Sequence, residues 1–198
     1  MITFNNLNSE KPYRILKEKY EKALELGQKN IEAISISSYN KNLKKVDSRF
    51  VNLKFINNHE FIFFSNYDSP KSISFKSHSQ ISALIFWQSI NTQIRISASI
   101  KKTSKIFNDQ YFRNRSPSKN ALAISSSQSE PISSFKLIKE NYEYSLANND
   151  LKKCPEYWGG FVFTPFEMEF WEGNEFRLNK RNLYKKDNKK WNHYILEP

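Results

Sequence analysis

Between Gln93 and Lys101 apolar and polar residues alternate without a break: Ile94, Ile96, Ala98 and Ile100 fall on one side, Arg95, Ser97 and Ser99 on the other. A period of two belongs to a strand with one buried face and one wet face. The same β-branched and aromatic texture recurs in short runs at 31–37, 50–56, 60–65 and 81–87, and again at 161–171, 175–184 and 191–196. These runs predict strands. Asn57-Asn58 supplies a hairpin turn between two of them, 40–45 a longer hairpin loop, and Gly173-Asn174 a further turn.

Helical spacing is confined to a few places. Pro12 opens a segment in which Ile15, Leu16, Tyr20, Ala23 and Leu24 recur every three to four residues until Gly27, which predicts an amphipathic helix over about 12–27. Shorter helices are expected at 69–76 and 106–113, and a longer one at 133–147. Strands dominate and helices interrupt them. That order predicts a mainly β, α+β protein built on an antiparallel barrel with peripheral helices, rather than repeated βαβ units.

With 198 residues, 38% hydrophobic and 15% aromatic, the chain carries enough apolar mass for one substantial core, so 1–198 is expected to be a single domain. The longest apolar stretches fall far short of the ~20 residues of a spanning helix, and the polar start at Asn5, Asn6 and Asn8 does not read as a signal peptide, so a cytoplasmic location is expected. The single Cys154 cannot form an internal disulfide and reads as an ordinary thiol. His59, His78 and His193 lack ligand spacing, and no metal is expected.

The formal charge of +11 favours anionic partners of every kind. Much of the excess sits in lysine pairs, such as Lys44-Lys45 and Lys101-Lys102, that read as solvated surface. Four glycines leave no Gly-rich phosphate loop, so a phosphate must be held by side chains. Arg49, Lys54, Lys71, Arg113, Arg115, Arg177 and Arg181 are the candidates. On one continuous strand Arg49 and Lys54 point to opposite faces unless a bulge intervenes, whereas Arg177 and Arg181 share a face.

One ordered set of motifs runs through Ser48 to Pro198: Ser48-Arg49-Phe50-Val51-Asn52-Leu53-Lys54, Phe63-Phe64-Ser65-Asn66-Tyr67, Thr92-Gln93-Ile94-Arg95, Tyr111-Phe112-Arg113-Asn114-Arg115, Ser126-Ser127-Gln128-Ser129, Trp158-Gly159-Gly160-Phe161, and Glu169-Phe170-Trp171-Glu172-Gly173 leading into Arg177-Leu178-Asn179-Lys180-Arg181. In this order the set resembles the pyridoxamine 5'-phosphate oxidase family. The resemblance implies an FMN-binding split β-barrel homodimer, its C-terminal region of about 155–198 serving dimerisation and the active site. It further implies oxidation of pyridoxamine or pyridoxine 5'-phosphate to pyridoxal 5'-phosphate with O2 as acceptor. Carried over by position, Arg49, Phe64, Ser65, Lys71, Gln93, Gln128, Ser129, Trp171 and Arg181 are implied for the cofactor. Lys54, Tyr111, Arg115, Lys119 and Asn179 are implied for the substrate, with Arg177 over its ring as the catalytic candidate. Pro70 stands where the family commonly has Arg, Lys119 where it has Ser, and Asn179-Lys180 where it has His-Asp. Those changes keep open a flavin oxidoreductase acting on another flat heterocycle. A third possibility is a non-enzymatic nucleic-acid binder using the +11 charge with aromatics such as Tyr111 and Phe112.

Overall fold

The computed structural model describes residues 1–198. Ten strands form one sheet: β1 (Thr3–Asn5), β2 (Ala33–Asn40), β3 (Lys45–Asn52), β4 (Phe55–Asn57), β5 (Glu60–Asn66), β6 (Gln80–Trp87), β7 (Thr92–Lys102), β8 (Trp158–Glu172), β9 (Lys180–Asp187) and β10 (Lys190–Leu196). The path through the sheet is β1-β4-β5-β8-β7-β6-β2-β3, and β9 pairs with both β8 and β10. All pairings are antiparallel except β1 with β4. Five helices decorate it: α1 (Lys11–Glu25), α2 (Pro70–Ser77), α3 (Lys105–Asn114), α4 (Pro117–Ser125) and α5 (Phe135–Asn148). No helix is long and apolar enough to cross a membrane.

β8 organises the sheet. One of its edges follows β7 along nearly its whole length, while the other is shared, Trp158–Phe163 going to β5 and Glu167–Glu172 to β9. Between these halves sits Pro165, which has no N–H for the ladder. There the register against β7 slips by one residue, Ser97 facing Glu167 and Ala98 facing Pro165. A bulge of this kind bends a strand, and the two halves of β8 serve different neighbours as a result.

The core fills the inside of the curl. Ile94, Ile96, Ala98 and Ile100 point into it from β7, as the alternation predicts, beside Phe61, Phe63, Phe163 and Phe170. α1 closes one end with Tyr13, Leu16, Tyr20 and Ala23 buried, and the chain leaves it through Gly27 at φ +71, a conformation that suits glycine. Trp191 on β10 ties down the start of α1: its Nε1 donates to Glu10 Oε2 at 3.1 Å, and its ring stands edge-on to Tyr13.

Three sequence expectations need correction. The run 50–56 is not one strand. β3 ends at Asn52, because Leu53 N donates to Glu32 O and Lys54 N to Ile62 O, which turns the chain into the short β4. The run 175–184 is not one strand either. Residues 174–179 form a turn, closed by Asn174 N donating to Asn179 Oδ1 at 3.1 Å and Arg177 N to Asn174 O, and β9 begins only at Lys180. Arg177 therefore sits in a turn at φ 58, and the shared strand face expected for Arg177 and Arg181 does not exist. The hairpin turn between β4 and β5 falls at Asn58-His59 rather than Asn57-Asn58, with Asn58 at φ 53 and Asn57 facing Glu60.

Gly159 and Gly160 lie under a hydrogen-bonded hub. Tyr67 Oη donates to Gly160 O, Asn108 Nδ2 donates to Tyr67 Oη, and Gly160 N donates to Asn108 Oδ1, all at 3.0 Å or less. A Cβ on Gly159 would come 2.2 Å from Tyr67 Oη and 2.4 Å from Asn108 Nδ2. Both atoms are committed to the hub, so Gly159→Ala is expected to cost about 1–3 kcal/mol by overpacking. Thermal unfolding checks this, at about 2–4 °C for each kcal/mol in a chain of this size.

Candidate active site

A cleft of about 470 Å³ opens where the end of β3, the β5–α2 corner and the α3–α4 turn meet. Ser65 is the last residue but one of β5 and Lys71 the second of α2, so the tight corner between them brings both to the cleft. Lys71 Nζ donates to Ser65 Oγ at 3.0 Å, Ser69 Oγ at 2.9 Å and Gln128 Oε1 at 3.2 Å. Burial, with a smaller contribution from the neighbouring Arg49 guanidinium, pushes its ammonium down to about 8. Arg49 is pinned from behind, its Nη1 donating to Ser38 Oγ at 2.7 Å and Ile36 O at 3.2 Å. Arg49 is near enough to act on Lys71 but does not itself line the cleft, and Asp47 is the carboxylate that acts on it. The cleft lining carries Lys71 and no carboxylate, an arrangement that favours a bound anion.

Lys54, Arg115 and Lys119 add further cations to the same cleft. Lys54 enters the cleft with Phe50 and Asn52, the residues of its own parity on β3, and meets Lys119 and Arg115 there. Burial first, then the charges of Lys119 and Arg115, hold the Lys54 ammonium below its ordinary range, against an opposing pull from Glu32. Arg115 is aimed by Asn120, whose Oδ1 accepts from its Nη1 at 3.0 Å while the Asn120 amide donates to Phe112 O and Leu151 O. Its guanidinium lies 4.5 Å from the centre of the Trp158 ring.

An aromatic stack lines the same cleft. Phe64 stacks on Tyr111 at 3.7 Å with 9° between the planes, and Trp158 lies nearly parallel to both. Flat faces beside cationic donors suit a flat, phosphorylated molecule. The cleft therefore gathers Lys54, Tyr111, Arg115 and Lys119 with Phe64, Ser65, Lys71 and Gln128. Trp158 belongs with them although only its place in a motif drew notice in the sequence, and Asn120 carried no sequence signal at all. Ser129, strained at φ 75, lines a different cavity beside Glu130 and Ile132.

Gln93, Trp171 and Arg181 form a separate group. The register places them in one row across β7, β8 and β9, Gln93 opposite Trp171 and Trp171 opposite Arg181. Two residues back, buried Glu169 accepts from Arg181 Nε at 2.8 Å and Arg95 Nη1 at 3.0 Å, and Arg181 Nη1 also donates to Glu197 O. Arg177 and Asn179 lie in the adjoining turn, flanked by Phe176 and Leu178 at 80% and 68% exposure. This group and the cleft lie at opposite ends of β8. Phe64 pairs with Gly160 and Gln93 with Trp171, eleven residues further on, up to about 36 Å at ~3.3 Å per residue. Within one chain they do not meet.

The sheet face between them is open and partly apolar. Phe86 shares the row of Gln93 and Trp171, and Phe50, which also lines the cleft, shares a row with Leu84 and Arg95 through Ser35. Phe50 is 76% and Phe86 51% exposed, an unusual setting for phenylalanine on a sheet unless something covers it.

The curled sheet and its helices define the class: this is a split β-barrel. PhzG from Burkholderia lata, solved in complex with tetrahydrophenazine-1-carboxylic acid, superposes with a TM-score of 0.89 over 95% of this chain and 93% of its own, at 24% identity. A pyridoxamine 5'-phosphate oxidase-related, FMN-binding protein from Nostoc punctiforme superposes with a TM-score of 0.78 over 96% and 99% of the two chains, at 11% identity. Residues 158–198 match the pyridoxine 5'-phosphate oxidase C-terminal dimerisation region. The pyridoxine/pyridoxamine 5'-phosphate oxidase 1 of Hydrogenovibrio crunogenus is 31% identical over 94% of this chain and 88% of its own length, and that of Rhodopirellula baltica is 33% identical over 77% and 70%. The chain belongs to the pyridoxine/pyridoxamine 5'-phosphate oxidase family.

Proposed function

We propose that this protein is an FMN-dependent oxidase that converts pyridoxamine or pyridoxine 5'-phosphate to pyridoxal 5'-phosphate with O2 as acceptor, working as a homodimer whose sites lie between the subunits. The observation that carries the reading is the gathering of Lys54, Lys71, Arg115 and Lys119 in one aromatic-walled cleft, with Gln93, Trp171 and Arg181 about a strand's length away. A second copy laid against the open face around Phe50 and Phe86 would cover those rings and bring its Gln93, Trp171 and Arg181 toward the first copy's cleft. The domain organisation follows, the whole chain forming one flavin-binding unit with its last forty or so residues at the interface.

The donor set fits FMN. Arg49 and Lys71 offer charge for its phosphate, Ser65, Gln128 and Gln93 offer hydrogen bonds to its polar edge, and Trp171 and Arg181 complete the site from the other subunit. Bound FMN supplies the two-electron acceptor; the protein binds and orients. Lys54, Arg115 and Lys119 hold the substrate phosphate with Tyr111, and Arg177, presented on the 174–179 turn, lies over the substrate ring. Asn179 favours a second reading, a flavin oxidoreductase for another flat heterocycle. Its Oδ1 already accepts one bond from Asn174 N, and an amide, unlike imidazole, does not titrate near neutrality.

Subunit mixing tests the shared site. Lys71→Met and Arg181→Met homodimers are each expected to be nearly inactive, while dimers reassembled from an equal mixture regain about a quarter of the normal activity, because half of them carry one intact site. No recovery on mixing would place both residues in a site within one chain and contradict the proposal.

A further inference from the structure

The side of α2 turned away from the cleft borders a second cavity, of about 600 Å³. Lys71 serves the cleft, whereas the next residue, Ser72, and then Ile73, Phe75 and Lys76 border this one. Opposite them stand Ile100, Lys101 and Lys102 at the end of β7, together with Tyr67, Asp68 and Phe161. Two properties coexist here. The floor is apolar, for Phe75, Ile100 and Phe161 are buried and Phe161 meets Phe75 and Tyr67 edge-on at 5.0 and 5.3 Å. The rim is cationic, with Lys76, Lys101 and Lys102 set against one carboxylate, Asp68.

Those cations are poorly partnered. Lys101 reaches Glu60 only at 3.9 Å, and neither Lys76 nor Lys102 makes an ion pair. Lys102 Nζ instead lies 3.9 Å from the centre of the Tyr67 ring. A small inorganic anion would find no arginine fork and would leave the aromatic floor uncovered. A neutral hydrocarbon would cover the floor and leave the ammonium groups unanswered. A flat ring carrying a carboxylate meets both, and the volume lies within the range of small-molecule sites.

We propose that this cavity is a second ligand site, selective for a flat aromatic carboxylate. The inference does not depend on what occupies the cleft. Calorimetric titration of the FMN-loaded protein with 2-naphthoate tests it, with neutral 2-naphthalenemethanol as the comparator. Saturable binding is expected, weakened about tenfold by Lys102→Gln or Lys76→Gln and about tenfold in the neutral comparator, the loss typical of one charge-assisted contact. Lys119→Gln, in the cleft, should leave it unchanged. Lys101→Gln gives an independent rim reading should either variant fold poorly. The proposal is overturned by equal affinity for the neutral comparator, by sensitivity to Lys119→Gln with indifference to the rim lysines, or by no binding at millimolar 2-naphthoate.

Discussion

Lys71→Met is expected to weaken FMN binding by about 100-fold, the scale of losing a desolvated charged hydrogen bond to phosphate. Methionine fills nearly the same volume, so the corner between β5 and α2 should persist while the cation disappears. Flavin fluorescence quenching reads the loss directly. The pH dependence carries the same residue's signature. The ammonium is held at about 8 against an ordinary 10.5, so it is in place below pH 8 and is lost as pH rises through that value. A bound phosphate raises that value again, so the normal protein should bind FMN with proton uptake near pH 8 and progressively more weakly above it. The folded chain without ligand moves the other way. Because its folded value lies below the unfolded one, the cost of burying this charge is present below pH 8 and is relieved between about 8 and 10.5 as pH rises. Lys71→Met should flatten both curves; a Met variant that keeps the steep loss of FMN affinity above pH 8 would show that another group is responsible.

Glu169→Gln is expected to lower both stability and FMN affinity. Its buried carboxylate accepts from two guanidinium groups at once, at 2.8 and 3.0 Å, and the amide can accept from one only while turning its NH2 toward the other. Arg95 is more than half exposed, so water recovers part of the loss, and the net cost is about 1–3 kcal/mol. Released from Glu169, Arg181 retains only its contact with Glu197 O near the end of the chain. FMN affinity should therefore fall about tenfold along with stability, and Glu169→Asp should recover part of both. A stability loss with unchanged FMN affinity would make Glu169 a purely structural residue and remove Arg181 from the cofactor site.

How far the sequence reached can be judged from particular elements. β7 was legible because a strand buried on one face writes its period into its residues, and the buried pattern on Ile94, Ile96, Ala98 and Ile100 repeats it. β9 was misjudged at its start because Phe176 and Leu178 alternate as strand residues do, yet they stand exposed on a turn held by Asn174 and Asn179. Nothing local distinguishes an apolar residue facing the core from one awaiting a partner. The break at Leu53-Lys54 was equally hidden, since bonds to Glu32 and Ile62, far away in sequence, make it. Lys54 still joins Phe50 and Asn52 in the cleft, as strand parity predicts, where it meets Arg115 and Lys119. β1 was too short to leave a pattern, and the serine-rich start of α4 masked Pro117 as a helix opener. The types of residue a phosphate site needs were visible from charge alone. Their division into a cleft group and a β7-β8-β9 row followed only from the strand order, in which β8 serves β5 at one end and β9 at the other.

Flavin chemistry directed at a phosphorylated B6 vitamer is read by one spectrum. The protein is loaded with FMN, made anaerobic and mixed with pyridoxine 5'-phosphate while the visible flavin band is followed. The band is expected to bleach as pyridoxal 5'-phosphate forms, and admitting O2 to restore it. A bound flavin that stays oxidised would contradict the proposed substrate, and a chain that takes up no flavin would contradict the site itself.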